Sequence, residues 1–320
     1  MSGGTALVLA GGGAPAAYFG AGAVAALEEA GERPDIVSGV SAGAINAYAV
    51  GAGMDAAGLA RMWCNVGWRD LYRPRTDVWH AINVGRLLRP TTNLAEYVLD
   101  AIGWTWLLDP APIRATLAKH LGGARVRADG DVTVVLSAVD EAAGEPVRFC
   151  SRLPPRHRRD PRFREVDVGA DHVLASVAVP LLFRPGTDGG SRLVDAGLVA
   201  SRPLAPVMRY EPDRVVVVSG VAIGRPPAEP DSLGAAITLL AGTVARFALA
   251  ADVDHARTVN RLAGAAPAAT VKRYVPILLV EPTDPDLPLD GFLNFTAAHA
   301  RHVIEYGREQ TGKALAAWSP

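Results

Sequence analysis

The sequence predicts an α/β domain built on a mostly parallel central sheet, and three observations lead there. Short apolar runs alternate with helix-forming stretches over the whole length, the pattern of strands joined by helical crossovers. Two of the earliest runs end in glycine-containing turns that open into small-residue helices. Bulk is the third: 320 residues, 49% of them apolar, suffice to bury a large core.

Composition narrows the partners. Lys plus Arg number 32 against 33 Asp plus Glu, so a formal net charge of -1 gives no general attraction for polyanions, and nucleic acid is not expected. Cys64 and Cys150 lack paired metal-ligand spacing and are too few to staple a fold of this size. No metal site is expected, and a reducing, cytoplasmic setting is the simpler reading. The stretch before Glu28 is uncharged but lacks the basic start of a targeting signal, and its glycines and Pro15 describe a strand, a loop and a helix. The uncharged run from Ser232 to Ala245 falls short of the roughly 20 residues that cross a bilayer. Membrane contact is therefore expected only at the surface.

The elements follow in order. Thr5 to Ala10 reads as a buried strand ending at Gly11-Gly12-Gly13. Tyr18 to Glu29 reads as a helix stopped by Gly31 and Pro34. Asp35 to Ser38 begins a second strand, Gly39 to Gly43 interrupts it, and Ala44 to Val50 is helix-forming. Residues 63–109 are less regular and hold Trp63, Trp68, Trp79, Trp104 and Trp106 among Arg73, Arg75, Arg86 and Arg89. Two readings stand side by side there, a cap or interfacial surface and a satellite core. Val132 to Ala138 is a strand, and Arg152 to Arg164 is a proline-broken basic loop, solvated or facing anionic headgroups. Arg192 to Gly197 reads as a strand that delivers Asp195 into a turn. A β-branched strand at Arg214 to Ser219, a helix from Leu233 to Leu262, a strand at Val275 to Val280 and a helix from about Thr296 to Ala317 complete the chain.

The chemistry concentrates in three segments. Gly39-Val40-Ser41-Ala42-Gly43 matches G-x-S-x-G, in which a strained strand-to-helix turn projects a serine oxygen. Side chains at Gly39 or Gly43 would clash with the neighbouring helix and strand. A serine that attacks an acyl group needs donors for the oxyanion, and the backbone N–H groups of Gly11, Gly12, Gly13 and Ala14 are the candidates. It also needs a base within hydrogen-bond reach, for which Asp195 stands at a strand end. An isolated Asp in a turn is otherwise a turn former.

Together these segments resemble the patatin-like phospholipase family over nearly the whole chain. Leu7 to Gly13 is similar to its strand and glycine loop, Asp35 to Asn46 (DIVSGVSAGAIN) to its elbow, and Ala175 to Pro185 with Val194-Asp195-Ala196-Gly197 to the block around its second catalytic residue. The resemblance implies a three-layer α/β/α sandwich and a Ser41–Asp195 dyad without histidine. It also implies hydrolysis of lipid carboxylic esters through an acyl-enzyme, with no metal or organic cofactor. One departure is plain: after the three glycines the family carries a small residue, a basic residue and Gly, whereas this chain has Ala14-Pro15-Ala16.

Three rivals remain. Gly11-x-Gly13-x-x-Ala16 with Asp35 loosely fits a dinucleotide fingerprint. His255, His299 and His302 follow Asp195 in the order of a Ser-Asp-His triad. Pro15 motivates the third, a scaffold that binds acyl chains or a partner without turnover.

Overall fold

A computed structural model of the chain describes residues 4–88, 101–156, 158–199, 203–221, 229–265, 272–284, 287 and 291–319. Its strands, in chain order, are β1 (Thr5–Leu9), β2 (Ile36–Gly39), β3 (Arg73–Pro74), β4 (Trp106–Asp109), β5 (Thr133–Asp140), β6 (Glu145–Cys150), β7 (Phe163–Glu165), β8 (Leu181–Phe183), β9 (Gly186–Asp188), β10 (Ser191–Asp195), β11 (Arg214–Val218) and β12 (Ile277–Val280). The main sheet runs β12-β11-β1-β2-β5-β10-β9, with β6 paired to β5 and β7 to β6. Its first five strands in that order are parallel, whereas β10, β9 and β6 add antiparallel pairings. The central strands β1, β2 and β11 are buried and apolar throughout or nearly so, as expected where helices cover both faces.

Helices α1 (Gly13–Glu29), α2 (Ala42–Gly51) and α3 (Ala56–Asn65), with the helix Ala297–Ala317, belong to the core on one face. The helices Leu204–Met208 and Leu233–Ala265 pack through Leu204, Val207, Leu249 and Val253 against Ala6, Val8, Val215 and Val217 on the other. The three-layer α/β/α sandwich expected from the resemblance is the observed architecture. The chain adds β2 and β5 on one side of β1 and later β11 and β12 on the other, so strand order reverses at β1. Ligand sites of open α/β sheets lie outside the carboxyl ends of strands at such a reversal.

One register places the candidate site. β2 pairs Ile36–Gly39 with residues Thr133–Leu136 of β5. Beyond that point the same strand pairs Ala138–Asp140 with β10, antiparallel, so that Asp195 lies opposite Ala138. β2 and β10 thus share one edge of β5 and meet end to end.

Several expectations shift. α1 starts at Gly13 and not near Tyr18, so Ala14 and Pro15 belong to its first turn. An N–H has no helical acceptor there, and proline is tolerated for that reason. The helix near the C-terminal third runs from Leu233 to Ala265, and by length and composition Gly234–Ala265 suffices to cross a membrane. The expectation drawn from the shorter uncharged run is corrected to that extent: isolated charges such as Arg246 end the run without ending the helix. Half of that helix nonetheless serves the fold, because Leu249, Val253 and Ala256 are buried against the sheet.

Candidate active site

Ser41 sits between β2 and α2 at φ 55°, ψ −131°, a backbone that L-residues rarely adopt. Such a conformation costs about 1–3 kcal/mol and persists only where surroundings enforce it. The surroundings are tight. A Cβ at Gly39 would lie 2.4 Å from the Gly43 carbonyl oxygen, and one at Gly43 would lie 2.1 Å from the Leu9 carbonyl oxygen. Only glycines let the elbow close against α2 on one side and β1 on the other. The Ser41 N–H donates to both the hydroxyl and the carbonyl of Ser176, each at 3.2 Å, and the Ser176 hydroxyl donates to the Ser137 carbonyl at 2.7 Å.

Asp195 meets this serine. It is 1% exposed, and its Oδ1 accepts the Gly197 N–H at 2.7 Å. Burial pushes its carboxyl up to about 6, opposed by hydrogen bonds from the Ser41 hydroxyl and the Gly197 N–H. The Asp195 N–H donates to the Ala178 carbonyl at 2.9 Å, which ties the strand end to the loop after the helix Ala170–Ser176.

The glycine loop lies against the elbow. A Cβ on Gly11 would fall 2.9 Å from Ser41 Cβ and 3.7 Å from its Oγ. Gly12 (φ 144°) and Gly13 (φ 66°) take left-handed backbone, and a side chain on Gly13 would strike the Phe292 carbonyl. Ala14 is the exception among the four candidate donors. Its N–H donates to the Phe292 carbonyl at 2.9 Å. Ala14 is therefore corrected from an oxyanion donor to an anchor for the loop around Phe292, because the first turn of α1 aims that amide at the loop. Among the described residues, the N–H groups of Gly11, Gly12 and Gly13 have no acceptor.

An apolar cleft opens from Ser41. Gly13, Ala42 and Ile45 form its floor; Leu71, Tyr72, Phe183, Phe292, Leu293 and Phe295 are among its walls. The Tyr72 hydroxyl donates to the Leu293 carbonyl at 2.9 Å and holds two of those walls together. The lining of the cleft is apolar and presents few polar groups.

A patatin-like phospholipase profile matches residues 7–208, well over half of the chain. The chain belongs to the patatin-like phospholipase family. Among solved structures the patatin-like chain is similar to VipD from Legionella pneumophila, at 14% identity and a TM-score of 0.44, covering 99% of this chain and 67% of that one. It is also similar to the type III effector protein ExoU, at 16% identity and a TM-score of 0.40, covering 99% of this chain and 53% of that one. This patatin-like chain thus spans little more than half the length of the second. A search of curated proteins returned no match.

Two rivals lose their footing in the geometry. The Asp35 carboxylate accepts the Thr5 N–H at 2.8 Å at the start of β1, at the opposite end of that strand from the glycine loop. It has no access to a ribose bound there. Of the three histidines, His255 and His302 are exposed, and His299 packs edge-on against Tyr18 with ring centroids 5.4 Å apart. Asp195 is instead hydrogen-bonded by the Ser41 hydroxyl and the Gly197 N–H.

Sequence reasoning missed two supports. Ser176 holds the elbow amide. Asn46, wholly buried, donates to the Ala17 carbonyl at 2.8 Å and accepts from Trp63 Nε1 at 2.7 Å, which joins α1, α2 and α3. Asn46 was legible as the one amide among the small apolar residues of α2; Ser176 carried no such signal. Trp63 is accordingly a residue of the main core and not of a satellite core, whereas Trp79 is 91% exposed. Arg75 covers the rings of Trp104 and Trp106 from 5.4 and 4.3 Å. Arg89 lies outside the described residues. In the basic loop, Arg152 bonds the Ala128 and Gly130 carbonyls, Arg156 pairs with Glu211, Arg162 with Asp160 and Arg164 with Asp188. Much of its charge is spoken for within the chain.

Proposed function

We propose that the protein hydrolyses carboxylic esters of lipids through a Ser41–Asp195 dyad and an acyl-enzyme. The observation that carries this reading is a buried carboxyl, with its affinity for protons raised, bonded to a serine hydroxyl on a strained turn. Asp195 remains mostly ionised at neutral pH yet is a stronger base than an exposed carboxylate.

The steps follow from position. Ser41 Oγ attacks the ester carbonyl as its proton passes to Asp195. Negative charge on the former carbonyl oxygen is met by the amides of Gly11, Gly12 and Gly13 and by the N-terminal end of α1. The proton then goes from Asp195 to the departing alcohol oxygen, leaving the acyl group on Ser41. Water, giving its proton to Asp195, releases the fatty acid and restores the serine. The acyl chain occupies the cleft walled by Tyr72, Phe183 and Phe295. Neither a metal nor an organic cofactor enters these steps. Pro15, in the first turn of α1, takes no donor from this set.

Peripheral contact with a membrane belongs to the same reading, for a protein on the cytoplasmic side. Large apolar side chains stand in solvent on the helix Leu233–Ala265, with Phe247 65% exposed beside Leu240, and on the stretch holding Trp79, Ile82 and Ile102. Exposed groups of this kind mark interaction surfaces.

The test is labelling by a fluorophosphonate probe together with hydrolysis of p-nitrophenyl esters of graded chain length. Both should require Ser41 and Asp195, and longer acyl chains should be favoured until the cleft is filled. Undiminished labelling of Ser41→Ala would overturn the assignment. Absence of labelling and turnover in the wild type would favour the acyl-binding scaffold instead.

A further inference from the structure

One wall of the apolar cleft comes from far along the chain. Phe292, Leu293 and Phe295 line it, whereas the stretch matched by the family profile ends at residue 208. Family likeness therefore says nothing about what this wall selects. Each of the three lining residues is fastened in a different way.

The Phe292 carbonyl accepts the Ala14 N–H at 2.9 Å. Its ring rests on the glycine loop, since a Cβ on Gly13 would lie 2.7 and 2.8 Å from two ring atoms. The Leu293 carbonyl accepts the Tyr72 hydroxyl and the Phe295 N–H, each at 2.9 Å. Phe295 is buried, and its ring stacks on Trp63 with centroids 5.9 Å apart and meets Tyr18 and Tyr72 edge-on at 6.0 and 6.4 Å. Within the segment the Asn294 N–H donates to the Gly291 carbonyl at 2.7 Å, and Gly291 takes the positive φ of 89° that glycine allows. Residues 291–295 thus form a strap across the cleft, pinned to α1, to the segment before β3 and to the main core. Phe292 and Leu293, half-buried, are its faces toward a ligand.

We infer that Phe292 and Leu293 are specificity-determining residues that set the length of unbranched acyl chain the cleft accepts, with Tyr72 a positioning residue that holds them through the Leu293 carbonyl. The lining sets the ligand class. Hydrocarbon gains roughly fourfold in affinity per buried methylene, whereas a polar chain would give up water without replacement. Gly13 is one of the amides proposed for the oxyanion, so the Phe292 ring flanks the loop at which the acyl carbonyl is held. Other walls, such as Ile45 and Ile113, are side chains of the main core. The strap is held instead by the Ala14 and Tyr72 hydrogen bonds and by Phe295, which makes it the wall that a single substitution can move. Acyl binding in the cleft, as proposed above, is assumed; turnover is not.

Binding is measured in the whole chain carrying Ser41→Ala, so that nothing turns over. Unlabelled saturated fatty acids of graded length, kept below their micelle concentrations, displace a dansyl-labelled fatty acid. Affinity should rise roughly fourfold per methylene and level off at the length that fills the cleft. Phe292→Ala or Leu293→Ala, added to this background, should move that break to longer chains and raise the long-to-short affinity ratio several-fold. Tyr72→Phe keeps the ring and leaves the Leu293 carbonyl its bond from the Phe295 N–H, so the fold should persist and the same ratio should rise by less. A role confined to stability would change all lengths in proportion, and an unchanged ratio in the folded variants overturns the inference. So does a crystal structure of Ser41→Ala in which a bound fatty acid runs clear of the strap, even if no further variant folds. Ester turnover in the wild type without fatty-acid binding would overturn it and leave the dyad standing. Length-selective binding without turnover in the wild type would do the reverse.

Discussion

Around Ser41, glycine and alanine are packed until backbone meets backbone, whereas on the helix Leu233–Ala265 and between Trp68 and Ile102 large apolar side chains stand in solvent. The elbow region has little freedom: Gly39, Gly43 and Gly11 each approach a neighbour too closely for a Cβ, and Asn46, Trp63 and Ser176 have their polar atoms matched. The outer region carries apolar area that the described residues do not cover. Close packing is concentrated where a serine must hold a strained backbone, and exposed apolar surface lies away from it. If the contrast is right, substitutions should separate into those that abolish chemistry, those that unfold the protein, and those that change only attachment to lipid.

The largest effect is expected at the dyad. Ser41→Ala and Asp195→Asn should each lower kcat/KM by roughly 10⁴-fold or more with the fold intact, as removal of a nucleophile or its partner does elsewhere. Circular dichroism and ester turnover on the same samples check this. A fall of less than tenfold in either variant would break the assignment.

Next comes packing at the elbow. Gly43→Ala puts a methyl 2.1 Å from the Leu9 carbonyl oxygen, and backbone has nowhere to retreat. Overpacking of this kind should cost about 3 kcal/mol or more, read from denaturant midpoints. A variant as stable as the wild type would show that the elbow yields more than its contacts imply.

The pH response is of similar or smaller size and has a defined sign. The Asp195 carboxyl titrates near 6 in the folded chain against an ordinary 3.8, so the native state holds this proton more tightly than the unfolded one. Its contribution to stability is complete below about pH 4 and is lost as pH rises through 6, by up to about 3 kcal/mol. Turnover should move the opposite way, rising with a midpoint near 6 as the base ionises. Unfolding midpoints measured across pH 4 to 8 should show the decline in the wild type and not in Asp195→Asn. Identical profiles for the two would assign the ionisation elsewhere.

The smallest effect on stability is expected at the outer surface. Leu240→Ser with Phe247→Ser should shift stability by no more than about 0.5 kcal/mol per site and leave hydrolysis of short soluble esters unchanged. Binding to sedimented phospholipid vesicles should fall several-fold. Unaltered vesicle binding would detach this helix from the lipid reading.

How much of this was legible along the chain depended on how local the cause was. The strands at Thr5, Ile36, Thr133 and Arg214 were visible within a residue or two of their observed starts, since a run of β-branched and apolar residues ended by a turn is a local pattern. The short edge pieces β6, β7 and β9 escaped, because alternation over three to six residues is weak and their pairing depends on a neighbour. The start of α1 was misplaced for a related reason: glycines and a proline look like loop until it is known that the first helical turn needs no amide partners.

The candidate site shows the same division. The elbow and the glycine loop were readable from the residues, because left-handed backbone and close approach demand glycine at fixed spacing. Asp195 was readable only as an acid at a strand end, and Arg148 within the stretch Glu145–Cys150 gave no sign of burial. Sequence alone determined which residues had the chemistry for acyl transfer and the turns that present them. The tertiary structure decided that β5 receives β2 and then β10 along one edge, that Ala14 points to Phe292, and that Arg148 is buried. Strand pairing and burial are properties of distant segments brought together, and their energies do not exist until the chain has folded.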